Sequence, residues 1–258
     1  MTIGLGIDEK DQVWIIHRGN DPGNIDRTEF AFPSQMPQAA GAKPPAGPPG
    51  AKPLPPPPAP GRVSECCVPA PPVVAFDQGG NVVQSWGGPT LHPDWPESNH
   101  GIVVDHKGIV WVGGNGGPDS HILRFTREGK FVDMIGKKGA RAVDGKTVAN
   151  SNDPVNFGRV AKIFIDPKAN EAYVADGANE HVYVVDRQSL EVVSQFGTGG
   201  RAAGQFLGVH SIATDSKGNI YTTETWEGKR LQRFVYKGMG PVNKQHQGVI
   251  WPGSNATK

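Results

Sequence analysis

Two cysteines are all that 258 residues contain, and they are adjacent, Cys66 and Cys67. A network of disulfides and a structural zinc site of Cys-x-x-Cys spacing are both excluded. No apolar run reaches the roughly 18 residues that a transmembrane helix needs. Charge of one sign is not in excess either: 26 Lys and Arg stand against 25 Asp and Glu, a net charge of +1. That balance gives no general affinity for nucleic acid or for a membrane surface. The chain opens without the basic and apolar segments of a secretory leader. It reads either as a cytoplasmic protein or as one whose leader has been left off. Gly-x-Ser-x-Gly is missing, so there is no nucleophile elbow. The glycine-rich run at 113–117 lacks the Lys-Ser/Thr of a phosphate loop.

Turn residues are plentiful instead, with 35 glycines and 24 prolines. Between them lie short apolar runs. Residues 100–136 hold four: Ile102–Val104, Ile109–Val112, Ile122–Phe125 and Phe131–Ile135. Asp105–Gly108 and Arg127–Lys130 read as tight turns, in which glycine supplies a positive φ. Four antiparallel strands connected in order are one blade of a propeller. The same unit recurs. Asp8, Asp105, Asp166 and Asp215 each close an apolar run, and an aromatic follows: Trp14, Trp111 and Tyr221 six residues on, Tyr173 seven. Such a repeat predicts an all-β chain, a β-propeller of about four recognisable four-stranded blades in a single domain, 1–258. A β-sandwich also has many short strands but does not repeat an Asp-turn-aromatic unit. The fourth unit lacks a clear last strand unless Gly248–Trp251 supplies one. The ring then closes on four blades, stays an open arc, or is finished by a second copy in a homo-oligomer.

Residues 33–70 interrupt the first unit as a proline-rich loop insertion. Its core, Pro37–Pro60, favours extended polyproline II over a sheet. It reads as a tolerated surface insertion, with a proline-recognition ligand as the other reading. Cys66 and Cys67 lie where the insertion re-enters the sheet. Free thiols, a strained vicinal disulfide and a thiolate pair near a metal all fit them.

Three stretches carry a resemblance: Val13-Trp-Ile-Ile-His-Arg-Gly, Ser98-Asn-His-Gly-Ile-Val-Val-Asp and Gly204-Gln-Phe-Leu-Gly-Val-His-Ser-Ile-Ala-Thr-Asp. With Cys66-Cys-Val-Pro-Ala-Pro-Pro and Val174-Ala-Asp-Gly, they resemble the NHL-type six-bladed propellers, and among these the peptidyl-α-hydroxyglycine α-amidating lyases and their uncharacterised bacterial relatives. The resemblance implies zinc held by histidines at the starts of inner strands around a central channel, with calcium as a further ion. His100 and His210 match two of those histidines. It also implies that Arg18, with His17 beside it, binds or helps convert a substrate carboxylate in that channel, from a small molecule or a peptide. A fixed guanidinium suits that partner. The full-length protein would then be periplasmic or secreted, with no nucleic-acid or membrane partner. Two positions depart from the family. The third histidine falls at Val160 or Ala161, and the family's acid–base tyrosine is Ala178. The other class of function is a non-catalytic propeller that binds a ligand or protein through its loop face. Of the remaining histidines, His92 is placed to reach the channel mouth, as is Glu224. His121 and His181 read as structural, His106 and His246 as solvated.

Overall fold

A computed structural model describes residues 2–18, 70–140, 142–143, 146–147, 153, 155–166, 168–225 and 228–238. The strands are β1 (Thr2–Ile7), β2 (Val13–His17), β3 (Val73–Phe76), β4 (Val82–Trp86), β5 (Asn99–Val104), β6 (Val110–Gly114), β7 (His121–Phe125), β8 (Phe131–Gly136), β9 (Ala142–Val143), β10 (Lys146–Thr147), β11 (Val160–Ile165), β12 (Glu171–Asp176), β13 (His181–Asp186), β14 (Val192–Phe196), β15 (Val209–Thr214), β16 (Ile220–Glu224) and β17 (Leu231–Phe234). They form antiparallel sheets β1–β4, β5–β8, β11–β14 and β15–β17, each in chain order. The fold is all-β, a four-bladed propeller. Blade four has three strands among the described residues. The short hairpin β9–β10 between blades two and three was not foreseen from sequence. The proline-rich segment, apart from Ala70, lies outside the described residues, as do Cys66, Cys67, His246 and Gly248–Trp251. Among the described residues no helix is long and apolar enough to cross a membrane.

The repeated Asp-turn-aromatic unit has a direct physical cause. Asp8 Oδ1 accepts the turn amides of Lys10 and Gln12 at 2.9 and 3.0 Å, and Oδ2 accepts the Trp14 indole N–H at 2.9 Å. Asp105 does the same with Lys107, Ile109 and Trp111, and Asp215 with Lys217, Asn219 and the Tyr221 hydroxyl. One carboxylate thereby closes the first hairpin and fixes the aromatic of the second strand. In blade three the aromatic lies one residue further along, and the Tyr173 hydroxyl donates to Glu171 instead.

The blades pack in order, β1 on β5, β5 on β11 and β11 on β15, so first strands are innermost. Each of the three interfaces buries its own apolar cluster. Trp14, Trp86, Trp95 and Phe125 lie between blades one and two, Trp111, Phe157, Ile163 and Tyr183 between two and three, and Phe206, Val209 and Ile212 between three and four. Arginines lock the first two: Arg127 reaches Asp8 at 3.5 Å, and Arg187 reaches Asp105 at 3.7 Å. Among the described residues no such cluster joins blade four to blade one. Leu5 and Ile7 on β1 are 51% and 59% exposed, and Leu231 on β17 is 64% exposed. The described residues thus show three apolar interfaces between successive blades. Glycine permits the close approach of inner strands. A Cβ on Gly4 would stand 2.5 Å from the carbonyl oxygen of His100.

Candidate functional site

Every inner strand slips register by one residue near its start. The slip falls between Thr2 and Gly4, between Asn99 and Ile102, between Val160 and Lys162, and between Val209 and Ser211. A bulge adds an unpaired residue and re-aims its side chain. Aligned on the Asp of each repeat, the residues at this position are Ile3, His100, Ala161 and His210. Blades two and four are not neighbours, yet the His100 and His210 rings meet edge to face, centroids 4.8 Å apart. They do so at the centre, where the first strands of the blades converge. Sequence placed both histidines at the same point of the repeat, and the structure brings them together.

The tautomer of His100 follows from its partner. Nδ1 lies 2.8 Å from the carbonyl oxygen of Ala161 and must donate to it, so Nε2 keeps the lone pair. Ala161, where a third histidine was sought, thus orients its neighbour by its backbone. Burial, helped by His210 and then by the Arg18 and Lys162 charges, lowers the His100 pKa to about 4. Burial also lowers that of His210. Both rings are therefore neutral at pH 7, the state in which imidazole binds a metal.

Arg18 leaves the end of β2 and lies along the start of β5. Its Nε donates to Asn99 O at 3.1 Å, and Nη2 to Asn115 Oδ1 at 2.7 Å. Asn115 Oδ1 also accepts the Ser98 hydroxyl at 2.8 Å. The guanidinium is thus oriented beside His100. Asn99, Asn115 and Ser98 were not singled out from sequence. Their signal was present but weak, since all three flank the strand ends that hold His100. His17 is placed differently. Its ring bonds the Pro71 carbonyl, and burial lowers its pKa. It belongs to the β2–β3 edge, outside the histidine pair.

Two other candidates are engaged by local partners. His92 Nδ1 accepts the Asp94 amide at 3.1 Å, and its ring packs on Phe131 at 4.3 Å. Glu224 pairs with Arg230 at 2.6 Å and accepts from Gln232 and from the Leu207 amide. His121 and His181 are buried, bonded to the carbonyls of Asp94 and Gly197. His106 is exposed in its turn but sits 2.7 Å from Arg187 Nη2, so it is not merely solvated. Glu180, which sequence did not single out, sits at φ 56° and accepts the Gly208 amide at 2.7 Å. It anchors the chain just before His210. Burial, foremost, raises its pKa.

These depressed histidines give the fold an acid limit. The unfolded chain binds a proton at each near pH 6.5, whereas folded His100 binds one only near pH 4. Stability is therefore full above about pH 6.5 and is lost as pH falls through this window. The melting temperature is expected to drop by several degrees between pH 7 and pH 5. His100→Gln should flatten that slope. An equal slope in the variant would contradict the assignment.

No protein-family model matches the chain.

Proposed function

We propose that the centre of this propeller is a ligand site of lyase type, in which His100 and His210 hold a divalent ion and Arg18 anchors a ligand carboxylate. The observation that carries this reading is the meeting of two imidazoles from non-adjacent blades at one bulged position of the repeat. The resemblance to the NHL-type propellers and their peptidyl-α-hydroxyglycine lyases supplies the ion, zinc. The pair fits zinc in donor type and protonation. It fits in number only in part. Among the described residues no group of three or more His, Cys, Asp or Glu side chains could hold a metal. Two imidazoles leave the remaining positions to water and to the ligand.

Zinc bound there would lower the pKa of a hydroxyl placed on it. The protein's own part is to orient and hold. Arg18, braced by Asn99 and Asn115, fixes the carboxylate end of a substrate, and the Ala161 carbonyl fixes the His100 tautomer. The reaction implied by the resemblance removes the substrate's hydroxyl proton and breaks the adjacent C–N bond, giving an amide and a glyoxylate-like product. Ala178 stands where the lyases carry their acid–base tyrosine. That substitution favours the second reading, a non-catalytic propeller that binds a carboxylate ligand or a protein partner through its loop face.

α-Hydroxyhippurate separates the two readings. The first expects benzamide and glyoxylate from the zinc-loaded protein, with KM raised about tenfold or more in Arg18→Met. Binding without product supports the second reading. Neither binding nor turnover contradicts both.

A further inference from the structure

Four residues before the Asp of each repeat the chain carries Gly4, Gly101, Lys162 and Ser211. Three blades thus have no side chain or a short one where blade three has a long cation. Lys162 crosses the centre. Its Nζ donates to the Leu5 carbonyl of β1 at 3.0 Å, so the side chain spans from blade three to blade one. It is half-buried, and burial lowers its pKa below the usual lysine range. Among the described residues it makes no ion pair. An ammonium has three donors, and the Leu5 carbonyl uses one. With His210 neutral, the charges that bear on His100 are those of Arg18 and Lys162, both positive. A partly desolvated cation with no counter-ion is costly, and an anion entering beside it offsets that cost.

We infer that Lys162 is a second binding arm of the central site, and that the site takes a small carboxylate held by Lys162 and Arg18 next to the histidine pair. The inference rests on the reading of the centre as a ligand site but not on a bound metal. The same charges argue that zinc enters more readily together with such an anion, since two neutral imidazoles bring no negative charge to offset Arg18, Lys162 and the ion itself. A carboxylate of this kind comes either from a free hydroxy acid or from the C-terminus of a peptide. Glycolate probes the first and hippurate the second.

The test follows the ring signals of His100 and His210 by NMR in metal-free, full-length protein, during titration with glycolate, hippurate and neutral glycolamide. Glycolate or hippurate is expected to shift both rings, and the better binder names the source. Glycolamide should shift neither. Lys162→Met should weaken carboxylate binding by about tenfold or more, with an unchanged backbone amide pattern, and Lys162→Arg should keep binding close to wild type. The inference is overturned by wild-type affinity in Lys162→Met, by equal binding of glycolamide, or by no shift with either carboxylate. Zinc titration of the same samples reports separately on the histidine pair, so the two readings fail independently.

Discussion

Asp105→Ala is expected to cost about 3–5 kcal/mol, because it leaves a buried guanidinium without its carboxylate. Asp105 is 3% exposed and does three things at once. It accepts two turn amides, holds the Trp111 indole at 3.2 Å, and faces the guanidinium of Arg187 from the next blade. Removing it leaves the Arg187 side chain, itself 3% exposed, with its charge uncompensated. It also frees Trp111, which packs in the cluster between blades two and three. Asp215→Ala is the internal control. Asp215 makes the same turn and holds Tyr221, but no described arginine reaches it. Its loss should shift the urea midpoint far less. Equal shifts in the two variants would show that the inter-blade arginine contributes nothing.

Single substitution of either central histidine should weaken metal retention sharply. Two donors are the least that can hold a divalent ion against solvent, and one imidazole cannot. His100→Ala and His210→Ala should each lower zinc affinity by about a hundredfold or more, judged by competition with a chelator. His181→Gln tests specificity. His181 is buried and bonded to the Gly197 carbonyl, so its loss should lower stability while leaving zinc affinity in place. Zinc affinity falling equally in all three would mark a general unfolding effect and not a site.

How much of this was legible in the sequence depends on the range of each interaction. The Asp-turn-aromatic unit was legible because it is local. A carboxylate, two amides of its own turn and a ring six residues on satisfy one another within a hairpin. The exception, Tyr173, was visible as a spacing of seven, and the structure gives it a different partner, Glu171. His100 and His210 were legible because they occupy one position of the repeat. The register slip that turns them inward was not, since a bulge depends on how two strands pair. Lys162 was overlooked for the opposite reason. It departs from the repeat, as the one long cation where the other blades carry Gly4, Gly101 and Ser211. His92 and Glu224 were placed near the centre by their position after or before a strand. Local partners, Phe131 for one and Arg230 for the other, decide where they go. The apolar clusters between blades likewise depend on contacts between distant segments, which a repeat count cannot supply.

The central claim is that His100 and His210 form one metal-binding pair. It is tested most directly by the zinc content of untagged protein, measured by elemental analysis beside the His100→Ala/His210→Ala double variant. The account predicts about one zinc per chain in the native protein, retained through dialysis in the presence of a small carboxylate, and none in the variant. No zinc in either protein, or equal zinc in both, would contradict it.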